Sequence, residues 1–129
     1  MLVYSRELID HFEHPRNPGI IEHPDAMVQV ENPVCGDVLK LSAKVLNGRI
    51  AKIRFQAKGC VPAMACASAV TELVEAKSVL EARRIRRDHI VKHVGGVPPA
   101  STHAAQLAAD AIMALAEELT SSPPSKARQ

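Results

Sequence analysis

From residue 5 the chain reads with a helical period: Leu8, Ile9 and Phe12 form an apolar stripe behind Ser5, a good N-cap. Pro15 ends that stretch, because a proline cannot continue the hydrogen-bond ladder. His14-Pro15-Arg16-Asn17-Pro18-Gly19 is turn chemistry throughout. The period then drops to two. Met27–Val30 is a short β-leaning run. Over Val38–Leu46, Leu39, Leu41, Ala43 and Val45 share one face, and Lys40, Ser42 and Lys44 the other. Asn47-Gly48 predicts a tight hairpin, since a type I′ turn needs positive φ at both central residues. On the return strand Ile53, Phe55 and Ala57 alternate with Lys52, Arg54, Gln56 and Lys58.

Helical spacing returns at Pro62, a residue suited to a first turn, and Ala63–Ala76 carries Val70, Leu73 and Val74. Ser78-Val79-Leu80-Glu81 is a capping box that opens a second helix. Asp88 is expected to cap a short turn ending at Gly95-Gly96. After Pro98-Pro99, Ser101 or Thr102 caps the longest helix, which runs to about Leu119 with Leu107, Ala111, Ala114 and Leu115 inward. Residues 1–119 form one domain, and the Ser-, Pro- and Lys-rich residues 120–129 read as a disordered tail. The predicted class is α+β: a small antiparallel three-stranded sheet with helices packed on one face.

Composition narrows the function classes. With 129 residues the chain suffices for one real core but not two. Aromatics are 2% of it, Tyr4, Phe12 and Phe55 being the whole set, so aliphatic and alanine packing must build the core. No stacking platform for bases exists, and a net charge of +2 is far from that of a nucleic-acid binder. The dense basic run Arg83-Arg84-Ile85-Arg86-Arg87 reads as the solvated side of a short helix. No apolar run approaches the roughly 18–20 residues of a membrane span. Three cysteines, an odd number without an export signal, point to reduced thiols and a cytoplasmic location.

Three places break the packing pattern: Cys35-Gly36-Asp37 entering the hairpin, Gly59-Cys60 where the return strand meets a helix, and His103 in the first turn of the last helix. The glycines let backbone approach closely, and a helix N-terminus is expected to lower the Cys60 thiol's pKa. Thiolate, carboxylate and imidazole suit Zn²⁺, or an iron–sulfur cluster with non-cysteine ligands. The alternative for Cys35 and Cys60 is a pair of buried small hydrophobes, and for His103 a satisfied core histidine. Cys66, a turn or more along its helix, reads as a core residue with a lesser claim as an extra ligand. His11, His14, His23, His89 and His93 show no partner pattern and are expected at the surface or half-buried.

With these motifs in order, the chain resembles the iron–sulfur cluster assembly scaffold proteins of the IscU type, also found as the N-terminal domain of NifU. The resemblance runs from Tyr4 to about Leu119. It is carried by Tyr4-Ser5, Asp10-His11-Phe12 and Pro15-Arg16-Asn17-Pro18-Gly19, then Asn32-Pro33-Val34-Cys35-Gly36-Asp37. Phe55 to Cys60, Val97-Pro98-Pro99, His103 and Leu107-Ala108-Ala109-Asp110-Ala111-Ile112 follow. It implies a sulfur and metal carrier rather than an enzyme. Such a carrier accepts sulfur from a cysteine desulfurase, holds iron, a labile 2Fe-2S cluster or Zn²⁺, and delivers the cluster to apo iron–sulfur proteins. Cys35, Asp37, Cys60 and His103 would be the ligands, and Cys35 and Cys60 the sulfur acceptors. The family's third cysteine follows its histidine, and here Ala104 stands there. The family's chaperone-docking Leu-Pro-Pro-Val-Lys corresponds to Val97-Pro98-Pro99-Ala100-Ser101, without the lysine, so the resemblance gives only weak support for chaperone docking there. A second implied role is a degenerate homologue that binds Zn²⁺ or regulates the desulfurase without building clusters. A thiol enzyme using Cys35 or Cys60 with His103 as base is a third reading by residue type.

Overall fold

The structure, a computed structural model, describes residues 4–121. Helix α1 (Arg6–Glu13) starts where expected, with the Ser5 hydroxyl accepting from the Leu8 N–H at 2.9 Å. Its buried residues are Leu8 and His11, whereas Ile9 and Phe12 are each 40% exposed. An eight-residue helix lying on one neighbour buries a narrow stripe, and the second stripe position is taken by histidine rather than by an apolar residue.

Strands β1 (Ala26–Glu31), β2 (Val38–Leu46) and β3 (Arg49–Lys58) form an antiparallel sheet in the order β1-β2-β3. Asn47 and Gly48, at φ 56° and 76°, make the predicted two-residue turn between the paired Leu46 and Arg49. The register shifts at Lys44/Val45, so Val45 faces Ile50 while Ala43 faces Ile53. That bulge breaks the strict alternation, and Val45 is half-buried rather than inward with Leu39, Leu41 and Ala43. The outer edge of β3 is not left open. Phe55 donates to the Asn17 carbonyl and accepts from Gly19, while Ile50 exchanges hydrogen bonds with Ala76 and Lys77. Such coverage removes a template for edge-to-edge pairing.

Helix α2 (Val61–Val74) packs on β3 and α1, and α5 (Thr102–Ser121) packs on β1, β2 and α2. Short helices α3 (Val79–Ala82) and α4 (Arg87–His93) close the side of the bundle. From Ala63 to Val74 nearly every side chain of α2 is buried, which requires the small residues Ala63, Ala65, Cys66, Ala67, Ser68 and Ala69. Small side chains let helices approach closely, so the aromatic-poor composition and the packing are one fact. The Ser78–Glu81 capping box is present as expected. Asp88 is not the cap of α4: the Arg86 N–H donates to His89 Nδ1 at 2.8 Å, and Asp88 lies exposed in the first turn. The arginine run is exposed, but it spans the link between α3 and α4 rather than one helix. Helix α5 includes Thr120 and Ser121, which the sequence assigned to the tail; residues 122–129 lie outside the described residues.

Candidate metal centre

The antiparallel register builds the site. Val38 pairs with Lys58, so the next residues outward, Asp37 and Gly59, meet at one end of the sheet. The connection from β1 to β2 is a tight loop in which Asn32 N–H donates to the Asp37 carbonyl and Gly36 N–H to the Asn32 carbonyl. The Asn32 side chain accepts from Val34 N–H at 3.0 Å, an Asx turn that lifts Val34 and Cys35 outward. On the other side Cys60 is the N-cap of α2. The third wall is the first turn of α5, reached through a 3-10 turn (Pro99–Ser101), and it contributes His103.

Asp37 lies at the centre. It is 4% exposed, yet its carboxylate has polar neighbours on two sides. The Cys60 thiol donates to Oδ2 at 3.6 Å, and His103 Nε2 is also 3.6 Å from Oδ2. Ligand atoms of Cys35, Asp37 and His103 all fall within 4.8 Å of one another. Gly59 explains how the carboxylate fits: a Cβ there would sit 2.7 Å from Asp37 Cγ. A four-coordinate ion with bonds of about 2.0–2.3 Å needs neighbouring ligand atoms roughly 3.3–3.8 Å apart. The two 3.6 Å separations fall in that range. Cys60 lies outside that group of three and is tied to it through Asp37 Oδ2 alone. Thiol, carboxylate and imidazole are donor types that suit Zn²⁺ or a ferrous ion.

Cys35 and Cys60 are exposed free thiols, so they are not the buried hydrophobes of the alternative reading. One expectation fails. Burial pushes the Cys60 thiol above its ordinary value and the Asp37 carboxylate adds to the rise. The Ala63 N–H at the start of α2 pulls the other way without prevailing. Cys66 is fully buried in the core, where burial pushes its thiol up to about 12. Ala104, where the family's third cysteine would stand, is 1% exposed.

The histidines divide. His14, His23 and His89 are exposed and His93 is half-buried, as expected, but His11 is buried. Its Nδ1 lies 2.7 Å from Ser68 Oγ and its Nε2 3.2 Å from Glu72 Oε1, and His93 Nε2 approaches the same Glu72 oxygen at 2.7 Å. The signal available in the sequence was the Leu8/His11 spacing, which places the two residues on one helix face.

Residues 3–122 match the family described as NifU-like N terminal domain. The "Iron-sulfur cluster assembly scaffold protein IscU" of Escherichia coli K12 is 43% identical over 117 residues, covering 88% of this chain and 91% of that protein. The Archaeoglobus fulgidus "Iron-sulfur cluster assembly scaffold protein IscU 1" is 44% identical over 110 residues, covering 85% of this chain and 72% of that protein. Among solved structures, the N-terminal part of a nitrogen-fixing NifU-like protein from Brucella abortus superposes with a TM-score of 0.72 at 17% identity. That match covers 92% of this chain and 95% of the other, and shows a shared fold. No helix among the described residues is long and apolar enough to cross a membrane. On the family match and these identities, the chain belongs to the NifU-like N-terminal domain family, together with the IscU scaffold proteins.

Proposed function

We propose that the chain is a scaffold for iron–sulfur cluster assembly that uses Cys35, Asp37, Cys60 and His103 as the outer ligands of iron or of a labile 2Fe-2S cluster. The observation that carries this reading is the buried Asp37 carboxylate, approached by Cys60 and His103 at 3.6 Å with Cys35 at the rim. The homologues named as IscU scaffolds support it.

Sulfur enters at Cys35. It stands on the loop beside Val34, which is 94% exposed, whereas burial and Asp37 hold the Cys60 thiol back from ionising. The Cys35 thiolate attacks the outer sulfur of a persulfide on a cysteine desulfurase. A new S–S bond forms on Cys35 as the donor's S–S bond breaks, and the donor cysteine leaves as a thiolate. A thiol reductant or an electron-transfer protein then supplies two electrons per sulfur to give sulfide. With two thiolates instead of three, the cluster is held less firmly, which favours its transfer to apo-proteins. Binding of iron deprotonates Cys60.

The 3.6 Å separations also match a single four-coordinate ion, and this favours a second reading: a Zn²⁺-holding homologue that regulates a desulfurase without assembling clusters. Anaerobic reconstitution with a cysteine desulfurase, cysteine, ferrous iron and dithiothreitol separates the two. Scaffold function predicts sulfide-to-iron charge-transfer absorption and equal iron and acid-labile sulfide, both lost in Cys60→Ser. Desulfurase stimulation with no bound sulfide would establish the second reading instead.

A further inference from the structure

Helices α1, α2 and α4 each bring one metal-liking side chain to a point that the scaffold centre does not use. His11, Glu72 and His93 place their ligand atoms within 4.8 Å of one another. Glu72 lies twelve residues past Cys60, hence about 18 Å along α2 at 1.5 Å per residue. We propose that His11, Glu72 and His93 form a second metal site, for a divalent first-row transition ion such as Ni²⁺, Zn²⁺ or Fe²⁺.

The His11 ring is fixed before any ion arrives. Ser68 and Glu72 stand one turn apart on α2, and the imidazole spans them, Nδ1 on the Ser68 hydroxyl and Nε2 on Glu72 Oε1. Ser68 Oγ also accepts from the Arg16 N–H at 2.8 Å, which fixes the hydroxyl in turn. Metal-bound histidines usually donate their second ring N–H to an oxygen, which sets the tautomer and orients the ring. Without an ion, Nε2 carries the proton facing Glu72 and Nδ1 accepts from the Ser68 hydroxyl; when an ion displaces that proton, Nδ1–H donates to Ser68 and the Nε2 lone pair faces the ion.

The two edges at Glu72 agree with an ion. Glu72 Oε1 is 3.2 Å from His11 Nε2 and 2.7 Å from His93 Nε2. Bonds of about 2.0–2.1 Å at 90–109° require ligand separations of roughly 2.9–3.4 Å, within a few tenths of an ångström of these values. Arg16 approaches the other carboxylate oxygen, Oε2, at 3.6 Å, but its Nη2 is held by Asp10 at 2.6 Å and its Nη1 by the His14 carbonyl. Oε1 is left to the two imidazoles.

The donor chemistry sets the class of ion. Two imidazoles and one carboxylate suit borderline divalent ions, not Mg²⁺ or Ca²⁺, which take oxygen ligands, nor Cu⁺, which prefers sulfur. Three protein donors leave coordination positions open. They face solvent, because the Glu72 and His93 side chains are partly exposed while His11 is buried beneath them. The site therefore has a rigid floor and an open mouth, by which an ion and one or more further ligands reach it.

The test uses the untagged full chain with Cys35→Ser and Cys60→Ser, which silences the scaffold centre. Titration with Ni²⁺ at pH 7.5, followed calorimetrically, should give one equivalent bound, and Cu²⁺ in the same chain should show two imidazole nitrogens in its electron paramagnetic resonance spectrum. Adding His93→Ala or Glu72→Gln should weaken Ni²⁺ binding at least tenfold. Both residues are partly exposed, and unchanged circular dichroism verifies the fold, which the buried His11 would endanger. Absence of stoichiometric Ni²⁺ binding in the double-serine chain overturns the proposal. So does binding that survives His93→Ala, which would point to other surface histidines, or binding unaffected by Glu72→Gln.

Discussion

Gly59→Ala isolates the contact that shapes the scaffold centre. A Cβ at this position would lie 2.7 Å from Asp37 Cγ and 3.1 Å from its Cβ, and the backbone φ of +156° is one that L-residues rarely adopt. Backbone strain of this kind costs on the order of 1–3 kcal/mol. For a chain of this size that corresponds to a fall in Tm of roughly 3–15 °C. Gly48→Ala is the control. Its φ is +76° with nothing within 4 Å of the added Cβ, so it carries strain of about 1–2 kcal/mol and touches no ligand. The two variants differ in what they do to Asp37. In Gly59→Ala the carboxylate must leave its present position between Cys60 and His103, and Zn²⁺ affinity should fall by about 10–100-fold, the usual effect of disturbing a ligand's support. In Gly48→Ala it should not change. Thermal melts in the presence of a chelator and competitive Zn²⁺ titration of both variants decide the matter. Unchanged Zn²⁺ affinity in Gly59→Ala, or an equal loss in both variants, would refute the claim that Gly59 makes room for Asp37.

Three further outcomes follow from the packing. Burial, then Arg16, holds the His11 imidazole below its ordinary 6.5. The unfolded chain takes up that proton more readily, so the stabilisation is complete above pH 6.5 and is lost as pH falls below it. Glu72, held below 4.5 chiefly by its hydrogen bond with His93, and Asp10, held down by Arg16, extend the loss to lower pH. Urea midpoints of metal-free protein should fall from pH 7.5 to 5.5, and His11→Gln should flatten that slope; a midpoint that rises on acidification contradicts this account. Ser78→Ala removes the hydroxyl that accepts from Glu81 N–H at 3.0 Å and should cost about 1 kcal/mol by urea denaturation. Leu41→Ala, at a fully buried position in the central strand, should cost about 2–5 kcal/mol in the same assay.

What the sequence shows clearly is local. Asn47-Gly48, Pro62 and the Ser78–Glu81 box act within a few residues, and each appears where the spacing placed it. Cys35 and Cys60 stood out as candidates because the glycines beside them allow close backbone approach and unusual φ, and Gly59 does leave room that a Cβ would take from Asp37. The Asn-Gly turn alone would set Asp37 opposite Lys58; the bulge at Lys44/Val45 shifts the register by one and brings Asp37 to Gly59, and no local pattern in the sequence announces that bulge. The His11–Glu72–His93 cluster stayed hidden because it joins three helices whose residues lie 61 and 21 positions apart. No periodicity encodes that meeting. Cys60 fails differently: the helix start does favour its thiolate, but burial and the facing carboxylate outweigh the backbone N–H groups of Ala63 and Cys60. Tertiary electrostatics override a local rule there.

The central claim is that Cys35, Asp37, Cys60 and His103 act together as the metal ligands of the scaffold, and Zn²⁺ is a probe of that ligand set. X-ray absorption at the zinc edge of the His93→Ala chain, loaded with one equivalent of Zn²⁺, tests it directly. This account predicts two sulfurs at about 2.3 Å and two nitrogen or oxygen ligands at about 2.0–2.1 Å. A shell of nitrogen and oxygen alone, or one with three or more sulfurs, would contradict it.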